Sequence, residues 1–308
     1  MRQAVPFCGV DKSSKKYYCI NVVMQLEDKE MDSIQLNRQA ALPAAKKKGI
    51  TGSTIKIIAI VSMLIDHVGA GILGRYLMTS GFMGAMTTGD LNTVMQWLTE
   101  NGTLYYTYTV MRMIGRLGFP IFCFLLVEGF QRTHDAKKYA LRLGIFALVS
   151  EIPFDLCFKG KIVDLSYQNV FFTLFLGLLT MIAFDWIARK EWAAGDKLNK
   201  AVKIIFSAAA LAVGAGVAHF MKTDYAATGV LCIMALYVFR KKKPLQIAAG
   251  CVAFLWEVTA PLAFIPIGFY NGERGLKMKY FFYAFYPVHL LLIWLVSVLL
   301  GLGWVAVA

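Results

Sequence analysis

Apolar residues in this chain come in long unbroken runs rather than in alternation. Stretches near the twenty residues needed to cross a bilayer as helix begin at about Ile55, Val110, Tyr139, Val170, Ala201, Ala226, Leu245 and Phe281. None has the two-residue alternation of a barrel strand. The pattern predicts an all-α, polytopic transmembrane helical bundle of about 8–10 spans. The run from Leu245 to Phe269 is the irregular one, because "AFLWEVTAPLAFIPIGF" carries Pro261, Pro266 and a mid-run Glu257. Proline breaks or kinks a helix there. Either one kinked span or a short helical pair fits, and the basic loop "NGERGLKMK" that follows favours the pair.

The polar punctuation orients the chain. "KKKG" at 46–49 precedes the first run, and "QRTHDAKKYALR", "ARKEWAAGDKLNK" and "RKKKP" fall between later ones. Basic residues close to a span resist translocation, so these loops and the amino terminus are expected in the cytoplasm of a multi-pass inner (plasma) membrane protein. The segment from Thr79 to Tyr106 is poor in Lys and Arg and is expected outside, with a short interfacial helix around Asp90 to Leu98. Residues 1–50 are polar and read as a disordered cytoplasmic extension without a secretory signal, ahead of a membrane domain over 51–308. A second methionine, Met31, is an alternative start within that extension.

Composition agrees: 58% of the 308 residues are hydrophobic and 17% charged. The formal net charge of +13 raises nucleic acid as a partner, but its cations sit in the short clusters between spans, so the lipid bilayer is the expected partner and nucleic acid is not. Six cysteines without a CxxC or a zinc spacing read as buried small hydrophobes. With no GxSxG elbow, Gly-rich phosphate loop or metal-ligand cluster in the sequence, no metal is expected.

Candidate chemistry begins in "SMLIDHVGAGIL" at 62–73, where Asp66 and His67 stand side by side deep in the first span. An ionisable group there costs a few kcal/mol even on lenient scales, which marks both as candidate catalytic residues. Adjacent side chains leave a helix about 100° apart, so Asp66 is expected to pair with Arg112 or Arg116 while His67 faces the chemistry. Lys56 lies eleven residues earlier on the same face, about 16 Å away along the axis. A cation at the cytoplasmic mouth and an imidazole deeper in suit a long anionic donor with a reactive inner end, and acetyl-CoA fits. Lys56, Arg112 and Arg116 are the candidate donor-binding residues. Glu128, Asn271, Arg274 and His289 are candidate acceptor-binding residues, and Glu151, Asp155 and Asp224 are further polar residues in apolar surroundings. For His289 a neutral ring bonded to a backbone carbonyl is the competing structural reading.

"IKIIAIVSMLIDHVG", "RMIGRLGFPIFCFLLVEGFQRT", "KKYALRLGIFALVSEIPFDL", "DYAATGVL" and "NGERG" with "KYFFYAFYPVHLLLI" resemble, in order and spacing, the motifs of the TraX family, from about Thr54 to Leu302. Its founding member is associated with amino-terminal acetylation of pilin. That family is similar to the wider group of transmembrane acyltransferases of the acyltransferase-3 kind, whose first span carries an arginine, ten residues and a histidine required for acyl transfer. The corresponding pair here is Lys56 and His67, and lysine keeps the charge but not the planar fork. The resemblance implies an acetyltransferase moving acetyl from cytoplasmic acetyl-CoA to an amine or hydroxyl at the membrane or outer face, with His67 as general base. The acceptor would be a pilin-like peptide, a glycan or a lipid. The rival reading is a proton-coupled permease using Asp66, His67, Glu257 and His289 as a relay.

Overall fold

In the computed structural model, residues 48–87, 89–276 and 279–307 are described. Residues 1–47 of the amino-terminal extension, with Met31 and with Lys46 and Lys47 of the "KKKG" cluster, lie outside them. The helices follow the apolar runs closely. Helix α1 (Gly52–Val68) starts on a Thr51 cap and passes through a π-helical stretch, Gly69–Gly74, into α2 (Arg75–Thr79). A short α3 (Phe82–Thr87) leads to α4 (Leu91–Gly115) and α5 (Gly118–Arg132), joined by a bend at Arg116 and Leu117. Then come α6 (Ala136–Lys159), α7 (Val170–Arg189), α8 (Asp196–Phe220) and α9 (Ala226–Val238). The chain ends with α10 (Lys243–Ala253), a 3₁₀ turn at Ala260–Ala263, α11 (Phe264–Gly268) and α12 (Lys279–Leu299). Among the described residues there is no strand, only two isolated bridges, Ile50 with Tyr270 and Gln168 with Thr223.

Five stretches are long and apolar enough to cross a membrane among the described residues: 52–79, 91–132, 170–189, 196–220 and 281–299. The fold is an all-α polytopic bundle. Outward faces such as Leu148, Ile204 and Val213 are more than half exposed, which in water would be a sticky surface and in a bilayer is the lipid-facing one. The remaining runs are shorter or carry more charge. That at Ala226 makes a 13-residue helix, and α6 is 24 residues long but carries Lys137, Lys138, Arg142, Glu151, Asp155 and Lys159. The interfacial helix expected near Asp90 is instead the first half of α4. Asp90 caps it through the amides of Asn92 and Thr93, and no proline stops it before the bend.

The run at Leu245 folds as the helical pair. Its 11-residue α10 rises about 16 Å, half the hydrocarbon thickness. The chain then turns at 254–259 and comes back through α11. Lys243 Nζ at the start of α10 donates to Gly268 O (3.0 Å) and Tyr270 O (2.6 Å), so both arms end on one side. Gly250 lets them close: a Cβ there would strike the Phe264 ring. Residues 269–274 then lie along the start of α1, with Ile50 N bonded to Phe269 O, Asn271 N to Ile50 O, and Gly52 N to Glu273 O.

One apolar core joins α1, α5, α7, α9 and the hairpin through residues such as Ile55, Phe124, Leu178, Ile233 and Phe264. A second joins α1, α6 and α12 through Met63, Phe158, Tyr286 and Leu290. The polar residues of interest line the seam between them.

Candidate functional site

Two helical stripes face each other along this seam. On α1 the stripe is Lys56, Ile60, Met63 and His67, at the three- and four-residue spacing that puts side chains on one face. On α12 it is Phe282, Phe285, Tyr286 and His289. Between them lies a cavity of about 270 Å³. Lys56 and Arg274 line it together with Met63, Phe285 and Tyr286, and the rest of its wall is mainly apolar and aromatic. Lys56 Nζ sits 5.3 Å above the ring of Phe282, which also lines the cavity, a cation–π contact.

The two stripes end on a histidine pair. His67 Nδ1 lies 2.7 Å from His289 Nε2, with the rings within 3° of parallel. His289 Nδ1 in turn donates to Phe285 O at 2.7 Å. The edges of Phe158 and Tyr286 pack on His67, with centroids at 5.2 and 5.9 Å. His289 is buried and His67 half-buried. The π-helical stretch starts two residues after His67, and such bulges recur at functional sites because they re-aim the preceding turn.

On the other side of α1, Asp66 Oδ2 accepts from Arg112 Nη1 at 2.7 Å. Arg116 Nε is 3.0 Å from Glu257 Oε2 at the tip of the α10–α11 hairpin, and Thr259 Oγ1 there donates to Met113 O at 2.6 Å. This explains Glu257 in the middle of an apolar run: the tip carries it to Arg116. Gly115 has no side chain because a Cβ would overlap the Asp66 carboxylate. Asp224 accepts from Tyr167 Oη at 2.6 Å, and Tyr225 stacks on Phe119 at 3.7 Å. Lys222, Tyr225 and Ala226 all have left-handed backbone angles, an uncommon conformation for side chains of this size. Asp66, Asp224, Glu257 and the two arginines interact electrostatically, a charge network beside the histidine pair, with Arg112 within electrostatic reach of His67 and Asp224 of Tyr286.

The structure therefore separates the residues singled out from the sequence into groups. Lys56 and Arg274 line the cavity, while His67 and His289 join just beyond its inner wall. Arg112 and Arg116 do not line the cavity; each holds a carboxylate. Glu128 pairs with Arg132 at 2.8 Å, and Arg132 Nη1 donates to Gly272 O. Asn271 accepts from Glu273 N and ties residues 269–274 to Ile50. Glu151 accepts from Asn169, whose Nδ2 also reaches Ala147 O, and Asp155 accepts from Asp164 N. Cys123, Cys157 and Cys232 are buried free thiols, as small hydrophobes would be, whereas Cys251 is half-buried and Cys8 and Cys19 lie outside the described residues. Among the described residues no group of His, Cys, Asp and Glu could hold a metal. The sequence reading missed Tyr286 and Phe158, although Tyr286 sits three residues before His289 on one helix face, a spacing that could have found it.

A polytopic helical membrane protein with a buried histidine pair at the end of an aromatic cavity is the class defined here. The chain belongs to the TraX family, whose model ("TraX protein") matches residues 51–297. It is similar to a probable fimbrial assembly protein FimC, serogroup H1, of Dichelobacter nodosus, at 26% identity over 259 residues covering 78% of this chain and 92% of that one. No solved structure matches.

Proposed function

We propose that the protein is a membrane acyltransferase of the wider transmembrane acyltransferase group, moving an acetyl group from cytoplasmic acetyl-CoA to an amine or hydroxyl acceptor. The observation that carries this reading is the cavity with Lys56 and Arg274 on its wall and the His67–His289 pair just past its inner end. Two cations attract the phosphates, and the largely apolar, aromatic wall of the cavity suits the thioester arm. His67 acts as general base: it takes the proton of the acceptor N–H or O–H as that atom attacks the thioester carbonyl, and returns it to the departing thiolate when the C–S bond breaks. The acceptor is an envelope component, and the relative's name in fimbrial assembly supports a pilin-like peptide ahead of a glycan or a lipid. The charge network holds α1, α4 and the hairpin together around the site. The basic end lies in the cytoplasm, which puts the donor mouth on that side.

The test uses the full chain in nanodiscs with radiolabelled acetyl-CoA and envelope fractions from cells lacking the protein. Label should move to an acceptor with the wild type and not with His67→Ala. Proton-gradient-driven uptake by proteoliposomes without acetyl transfer would overturn the reading in favour of a permease.

A further inference from the structure

A histidine base is useful only if the correct nitrogen is bare, and something must decide which one that is. In hydrolytic triads a carboxylate does so by accepting from the other nitrogen. Asp66 cannot serve here. Its carboxylate is taken by Arg112 on a different face of α1. The partner of His67 Nδ1 is instead a second imidazole, His289 Nε2 at 2.7 Å.

The chain of bonds fixes every proton. Phe285 O can only accept, so His289 Nδ1, 2.7 Å from it, carries a hydrogen. In neutral His289 the Nε2 then bears the lone pair and accepts, which requires a hydrogen on His67 Nδ1. In neutral His67 the Nε2 is therefore the bare nitrogen. Had His289 Nδ1 been bare, two lone pairs would face each other at hydrogen-bond distance. The near-parallel rings suit this in-line arrangement, and the edges of Phe158 and Tyr286 restrict rotation of the His67 ring.

We infer that His289 is a positioning residue: through the Phe285 carbonyl it holds His67 as the Nδ1–H tautomer and so presents Nε2 as the nitrogen that takes the acceptor's proton. This replaces a direct contact with the acceptor as the role of His289, and it rests on the acyltransferase reading above. When Nε2 gains the acceptor's proton, the Nδ1 proton of His67 can move to His289 Nε2, so the positive charge is shared across the pair. It returns by the same path as the thiolate is protonated, and no other reactant is needed.

The experiment reads both the tautomer and the rate on the full chain in nanodiscs. With ¹⁵N-labelled histidine, the four histidines are assigned by single His→Gln changes. The wild-type spectrum should show His67 with Nδ1 protonated and Nε2 bare, and His289→Leu should lose that pattern. In acetyl transfer, His289→Leu should lower kcat about a hundredfold or more, the range of a general base lost, while KM for acetyl-CoA stays within about threefold. His289→Gln, whose amide oxygen can accept from Nδ1, should recover most of the rate, which a merely space-filling role would not require. An Nε2–H tautomer of His67 in the wild type would overturn the inference. So would a His289→Leu protein as fast as the wild type. If the expected tautomer is seen and no acceptor is acetylated, the positioning of the proton stands and the acyltransferase reading falls.

Discussion

At the scale of single residues the membrane interior penalises every unmatched charge, and the site is built so that most are matched. Asp66 and Arg112 are half-buried partners, and removing one leaves the other in a low-dielectric setting. Asp66→Ala should therefore lower stability by about 3 kcal/mol, against little for the double change with Arg112→Ala; breaking a buried pair costs more than deleting it. Thermal unfolding in detergent reads this, and equal losses for the single and double variants would refute it. Gly115→Ala pushes a methyl group into the Asp66 carboxylate and should destabilise by about 1–3 kcal/mol, the usual overpacking cost. Lys56→Ala should weaken acetyl-CoA binding several-fold while His67→Ala should leave it near normal, and wild-type affinity should fall as salt screens the phosphates. Donor affinity that ignored both salt and Lys56 would place the donor elsewhere. Asp66, His67, Lys56 and the arginines were legible in the sequence because ions are rare in apolar runs. Their pairings were partly so: Asp66 with an arginine followed from helix geometry, whereas His67 with His289 spans 222 positions and nothing local encodes it.

At the scale of elements the α10–α11 hairpin is the part most open to misreading as a span. The 11-residue length of α10, Pro261 and Pro266 in the return arm and the Lys243 bonds to Gly268 and Tyr270 make it a half-depth excursion. A cysteine at Glu273, with the native cysteines replaced by serine, should thus be labelled from the same side as one at Lys48. Labelling from opposite sides would make the segment a full span. Gly250→Val should force the arms apart and, because the tip carries Glu257 to Arg116, reduce activity as well as stability. The composition around Pro261 and the basic loop after it were enough to favour a helical pair. What the tip touches was not readable, since Glu257 and Arg116 are far apart along the chain and either could have met another ion. The interfacial helix expected near Asp90 shows the opposite limit: polar sequence suggested a separate element, but with a capping aspartate and no breaker the helix ran on into the span.

At the scale of the whole molecule the test is sidedness. If the basic end is cytoplasmic, acetyl-CoA should support transfer only from that side of oriented vesicles, and Ser80→Cys should react with an impermeant thiol reagent only from the other. Reaction of Ser80→Cys from the donor side would invert the arrangement. The amino-acid order by itself determined that the chain is a helical membrane protein, where most of its helices begin, and which ionisable residues fall within apolar runs. Those follow from local quantities: the length of an apolar run, the cost of a buried charge, the breaking power of proline. Only the tertiary structure decided that Arg274 comes to Lys56, that Arg112 and Arg116 each hold a carboxylate rather than line the cavity, and that the partner of the first-span histidine is a histidine on the last helix. Each of these depends on how helices distant in sequence pack together, and packing is set by the fit of whole faces rather than by any one segment's pattern.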